Sequence, residues 1–401
     1  MRYLGHIKVL LAVIVIMTVS ACVKSGVEYD TSGREISVTP VTSVAAKSVP
    51  GPVFGTSYPR GETMGVMAFH NNGTQGWNPY FTQESADNIV EFAYVEQYAA
   101  WGGVKTIVDG NDKDVERRPQ QWPEEGSLIF AGVSPYFKFQ HTYGENATLE
   151  DKLLSVNTTV DGRKKYEVSF DVAGKTLRIN NYSVGRYVPM TSQQMADNAE
   201  YVNVSQSDLM FFMPQADESG NYIGVDQVNA YAAHFRHALS MVEFTVRAAD
   251  ESTADRVDID RITLSQVYHT GSFAATIKDD GSIEAGWLEN QLAVAEDVNV
   301  FGDDDETASG LYLDLDPRTV AQLMVIPGPT HPIEVVCHIY INGNRYVQTF
   351  SLVPGGKWEV GKRYVYNLIV GLNKITFAPE TYEWNDADGG AYRDPSLDNN
   401  R

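Results

Sequence analysis

Tyr166-Glu167-Val168-Ser169-Phe170-Asp171-Val172 sets an apolar residue at every second position, with Glu167, Ser169 and Asp171 between them. A period of two marks a half-buried strand, because successive side chains of an extended chain point to opposite faces. The period returns in Val242, Phe244 and Val246, and again in Tyr364, Tyr366, Leu368 and Val370. Further strands are predicted at 64–70, 128–133, 175–179, 208–212, 257–264, 322–327, 333–341 and 346–352. Asn342-Gly343-Asn344 reads as a hairpin, and Asp279-Asp280-Gly281 and Pro354-Gly355-Gly356 as reversals. Only 192–199 has a weakly helical pattern. Many short antiparallel strands with glycine and proline turns predict an all-β protein built from β-sandwiches.

The N-terminus carries a different signal. Arg2 and Lys8 flank the start of an uncharged run from Val9 to Val19, too short to span a bilayer and of the length of a cleaved signal segment. Val19-Ser20-Ala21-Cys22 closes it in the manner of a lipobox, with valine where leucine is commoner. Residues 1–21 are therefore expected to be a lipoprotein signal peptide and Cys22 the acylated first residue of the mature chain, where two or more acyl chains anchor stably.

Beyond the signal, 29 Lys and Arg face 52 Asp and Glu, a net charge of −23 that repels nucleic acid and anionic membrane. The remaining 380 residues exceed what one sandwich uses and predict two domains, 22–226 and 227–401, divided at the turn-rich stretch 214–227. Cys337 is the only other cysteine, so no intrachain disulfide or thiolate metal site is expected, and its alternating surroundings place it in a core.

Chemical motifs are sparse. His234 and His237 lie three apart, on opposite faces of a strand, and cannot chelate one ion together. Asp303-Asp304-Asp305-Glu306 lacks the ligand alternation of a calcium loop and reads as a solvated acidic turn. Nucleophile elbows and phosphate loops are absent, and no pair of carboxylates is singled out for glycoside hydrolysis. No catalytic residue, metal site or cofactor is assigned, and no enzyme is expected. Long loops are predicted at 71–92, 98–124 and 186–204. Trp77, Tyr80, Phe81, Trp101 and Trp122 fall in or beside them. These rings either fill the core or form a platform for a glycan, and the core reading is favoured because large aromatics are usually buried.

Near the start of the mature chain, Ile36, Val38, Pro40, Thr42, Val44 and Ala46 share one face, opposite Glu35, Ser37, Thr39, Ser43 and Lys47. Pro40 donates no ladder hydrogen bond, so this strand belongs at a sheet edge.

Six blocks recur in order: Trp122-Pro123 with 126–131, Ser207-Asp208-Leu209-Met210, Phe235-Arg236-His237-Ala238-Leu239-Ser240, Gly271-Ser272-Phe273, Leu323-Met324-Val325-Ile326-Pro327, and Trp358-x-x-Gly361-Lys362-x-Tyr364-x-Tyr366. Together they resemble the fimbrillin-like proteins of Bacteroidetes, the subunits of type V pili. The resemblance implies two tandem transthyretin-like Greek-key β-sandwich domains, export as an outer-membrane lipoprotein to the cell surface, and assembly with other fimbrial subunits by donor-strand exchange. It further implies that 34–47 is a removable first strand, freed by a trypsin-like protease at Lys47 or, alternatively, Arg60. The donor candidate is 374–384, with Ile375, Phe377, Tyr382 and Trp384 to fill pockets and Pro379 interrupting the register. The alternative is a lipid-anchored adhesin that binds host glycan or protein without polymerising. If Cys22 holds the chain to the membrane, Cys22→Ser moves the protein from the detergent phase to the aqueous phase on detergent partitioning.

Overall fold

The computed structural model describes residues 35–41, 58, 60, 62–74, 76–83, 85, 87–109, 112–139, 153–155, 166–185, 187–192, 195, 206, 208–254, 256–292, 296–302, 310–328, 333–352, 358–372 and 375–384. The signal segment, Cys22, Lys47, the acidic run 303–306, most of the predicted helix 192–199 and the tail 385–401 lie outside the described residues. Among the described residues no helix is long and apolar enough to cross a membrane.

Strands dominate. In chain order they begin with β1 (Val38–Val41), β2 (Thr63–Asn71), β3 (Asn78–Pro79), β4 (Ile89–Val95), β5 (Ala100–Asp109), β6 (Asp112–Arg117) and β7 (Ser127–Ser134). There follow β8 (Phe137–Phe139), β9 (Leu153–Ser155), β10 (Glu167–Asp171), β11 (Thr176–Ser183), β12 (Met210–Phe212), β13 (Tyr231–His234) and β14 (Arg236–His237). The chain continues through β15 (Ser240–Ala248), β16 (Val257–Val267), β17 (Thr270–Ile277), β18 (Ile283–Trp287), β19 (Glu296–Phe301) and β20 (Leu311–Tyr312). It closes with β21 (Arg318–Val325), β22 (Glu334–Ile341), β23 (Asn344–Ser351), β24 (Lys362–Val370) and β25 (Ile375–Glu383). The protein is all-β, as its period-two runs require.

One body is built in three layers. Its centre is an eight-stranded sheet in the order β14-β12-β7-β2-β4-β5-β6, with β3 on β2. Residues of one parity, Met67, Phe69, Ile129, Ala131 and Val133, face the four-stranded sheet β10-β11-β17-β18. Phe69 meets Phe170 there, and Phe211 meets Phe273. Residues of the other parity, Met64, Val66, Ala68, Leu128 and Phe130, face the short parallel pair β1-β13. The central strands are therefore buried on both faces.

The second body is a sandwich of β21-β15-β24-β25 against β19-β16-β22-β23, with β20 on β16. Phe244, Tyr366, Phe377 and Phe350 stack through its core, and Trp358 donates its indole N–H to the Tyr366 hydroxyl at 2.9 Å. Cys337 is buried there, as its run of sequence predicts, and burial pushes its thiol up to about 12. The Asn342-Gly343 hairpin also forms, both residues taking left-handed backbone angles of 50° and 75° between Ile341 and Asn344.

Three expectations change. The predicted loops 71–92 and 98–124 hold β3 to β6. Two pairings, β1 with β13 and β15 with β24, are parallel rather than antiparallel. Strands on both sides of residue 226 share sheets, since β14 pairs β12 and β17 pairs β11, so sheet membership does not follow the division 22–226 and 227–401. The two bodies also share side chains. Met241, Met324, Ile326 and Trp384 belong to the core beneath β10-β11-β17-β18, and the Gln206 carboxamide exchanges two hydrogen bonds with the Met324 backbone, at 2.8 and 3.0 Å.

Gly132 shows how tightly the central sheet packs. A Cβ there would lie 2.3 Å from the Phe212 ring and 2.4 Å from the Gly65 carbonyl oxygen. Gly132→Ala is expected to cost about 1–3 kcal/mol through overpacking, read as a lowered midpoint in thermal unfolding.

Candidate functional site

β1 is attached by a short ladder. Val38 to Val41 pair with Tyr231 to His234, and the N–H groups of Tyr231 and Phe235 donate to the carbonyls of Ser37 and Val41 at 2.8 and 3.0 Å. In a parallel ladder alternate residues carry the bonds, so the odd-numbered residues serve β13 and the nitrogen of Pro40 faces away. Proline is tolerated because that edge needs no donor from it. On the same edge the Ile36 N–H donates to the Gln120 carbonyl at 2.7 Å.

The side chains of β1 split as the alternation predicts. Ile36 and Val38 are fully buried and Pro40 is buried with them, while Thr39 is exposed. Ser37 departs from the pattern: it is buried because its hydroxyl donates to the Trp101 carbonyl at 2.8 Å. Glu35 pairs with Arg117, whose guanidinium lies 4.3 Å over the Tyr98 ring. Burial raises the Glu35 carboxyl above its usual range, and the Arg117 charge opposes that rise. Each buried aliphatic side chain contributes about 1.5–3 kcal/mol. Losing β1 would expose that surface together with the rings of Phe130, Phe212, Tyr231 and Phe235 in the same core.

The C-terminal strand has a mixed attachment. β25 is an edge strand running antiparallel to β24 in unbroken register, from Lys362 opposite Glu383 to Val370 opposite Ile375. Pro379 sits opposite Tyr366 without interrupting the register, against expectation, because an edge strand can turn the missing donor outward. Ile375 and Phe377 pack half-buried on the second body's core. Tyr382 lies on the other face, 41% exposed, where its hydrogen bond to Glu380 pushes the phenol up to about 12. Beneath it, the buried Glu243 carboxylate accepts from Arg363 and Gln322, each at 2.9 Å.

Trp384 leaves the strand and enters the first body's core. Its ring stacks on His237 with centroids 4.1 Å apart and planes 1° from parallel, and His237 Nδ1 lies 2.8 Å from Asp208 Oδ2. Asp208 and His237 are both buried. The four residues named for the donor strand thus occupy three environments. His234, in contrast to His237, is exposed.

Arg60 is two-thirds exposed, 4.4 Å over the Tyr94 ring and 3.9 Å from Glu96, and so open to a protease. Cys22 and Lys47 lie outside the described residues. The loop aromatics do not form one platform. Phe81, Trp101 and Trp122 are buried on the β1 side of the central sheet, whereas Trp77 packs on the opposite face against Tyr222. Sequence reasoning missed the Asp208–His237–Trp384 stack, although Asp208 and His237 stand in two of the six recurring blocks.

The sequence profile described as fimbrillin-like matches residues 59–384. The chain belongs to the fimbrillin-like family. No curated protein matches its sequence. Among solved structures it is similar to a candidate cell adhesion protein from Bacteroides uniformis, at 12% identity and a TM-score of 0.41, covering 87% of this chain and 99% of that one. It is similar too to a fimbrial protein from Bacteroides vulgatus, at 14% identity and a TM-score of 0.39, covering 88% and 99%. A third is the tip fimbrial protein Mfa3 from Porphyromonas gingivalis, at 7% identity and a TM-score of 0.34, covering 87% and 99%.

For this fimbrillin-like chain, Trp384 is the fastening of the C-terminal strand. Trp384→Ala is expected to destabilise the protein by about 3–5 kcal/mol in denaturant unfolding. Limited proteolysis of that variant should cut first within 375–384.

Proposed function

We propose that this chain is a structural subunit of a type V fimbria that contributes to adhesion at the cell surface. It reaches the outer membrane as a lipoprotein on Cys22. A trypsin-like protease cuts at Lys47 or Arg60, β1 departs with the N-terminal segment, and residues 374–384 of another subunit fill the vacancy. Two transthyretin-like sandwiches form part of this reading.

The observation that carries it is the attachment of β1. This strand plugs a core with Ile36 and Val38 yet is held by a ladder only four residues long, with proline turned to its outer edge. Such a strand can leave without tearing a sheet centre, and what it leaves is an apolar groove beside the unpaired edge of β13. Family membership supports the polymeric role. On β25, Ile375 and Phe377 already present apolar side chains at alternate positions of an edge strand, the geometry a donor needs.

Mass spectrometry of the surface-assembled protein tests the proposal. A mature N-terminus at Ser48 or Gly61 is the expected result. Intact acylated Cys22 in every polymerised copy would overturn it.

A further inference from the structure

A groove of about 870 Å³ runs beside β1, within the size range of small-ligand sites. Trp101 and Trp122 give it an apolar floor, and Tyr94 stands at its side. We propose that this groove binds a short neutral saccharide.

Three observations select that class. Around the rim, Thr39 from β1 and Gln227 and Asn229 opposite it each both donate and accept, matching hydroxyl groups that do the same. The charges beside the groove already have counter-charges, Glu35 with Arg117 and Arg60 with Glu96, which leaves none for an anionic ligand. A peptide adding as a strand finds a poor template, since the Ile36 N–H is taken by Gln120 and Pro40 has none. The half-buried Tyr94 ring supplies the apolar surface on which a sugar's C–H face packs. Arg60, which lies over Tyr94, is two-thirds exposed and gives way to a ring stacked there.

Thr39 belongs to β1 and Ser37 directly precedes it, so the groove loses one wall when that strand leaves. On the proposed strand exchange, saccharide binding then belongs to the uncut subunit.

The test uses the uncut, monomeric Cys22→Ser chain in titration calorimetry against lactose, N-acetyllactosamine, maltotriose and mannotriose, with sialyllactose and an acidic peptide as charged comparators. At least one neutral saccharide should bind. Tyr94→Ala should weaken it about tenfold. Thr39→Trp fills the groove from an exposed position and should abolish binding while leaving the thermal midpoint unchanged. No binding of any neutral saccharide, binding of only sialyllactose or the peptide, or binding untouched by Thr39→Trp would each overturn the proposal. Because the monomer is measured before processing, a failure to polymerise has no bearing on the result. Loss of binding after proteolytic removal of β1 tests the coupling separately, and retained binding would refute it.

Discussion

Everything in the first body answers to the pairing of β2 with β7. Phe69 opposite Ile129 and Met67 opposite Ala131 point into one core, and Ala68 opposite Phe130 and Val66 opposite Gly132 toward the other. A strand pair apolar on both sides cannot face water on either, so it needs a layer above and a layer below. The upper layer is a full four-stranded sheet. The lower one includes β1, which makes that short strand a lid on a core rather than a loose tether.

The layers are completed by chain that arrives late. β13, β14, β17 and β18 all follow residue 226, yet each pairs with strands of the first body or covers its core. The first body therefore closes only after Trp287 has been made, since that ring packs against Tyr182 and Phe273 and donates to the Ala238 carbonyl at 2.6 Å. Contacts of such long sequence separation slow folding, because the loop must be closed before the contact repays it. Gln206 and Trp384 then tie the second body to the first.

The strands with polar residues between apolar ones were legible: 166–172, 242–246 and 364–370 all lie in or overlap β-strands. So was the inward face of β1, through Ile36, Val38 and Pro40. The strand β4 was not, because Ile89 to Ala93 is buried throughout and shows no alternation. Gly102-Gly103 reads as a loop, but at Gly103 a Cβ would lie 2.2 Å from the Arg118 carbonyl, so that glycine serves a close approach of two backbones. The partners of β1 and β15 were illegible for another reason: parallel pairing joins residues far apart in sequence, and nothing local records its direction. Arg60 and the four donor-strand residues were named from the sequence, whereas the stacking of Trp384 depends on a histidine nearly 150 positions earlier.

Trp384 sits where β25 ends, one residue beyond the rung that joins Glu383 to Lys362. A tug on the chain past this point would act on an antiparallel edge from its last rung, peeling bonds one after another, so the force needed would be that of a single bond at a time. The stacked indole stands ahead of the first rung. Mechanical resistance at this end of the molecule is thus concentrated in one ring between His237 and the core, and the nine-residue strand behind it works as a zipper whose slider is that ring.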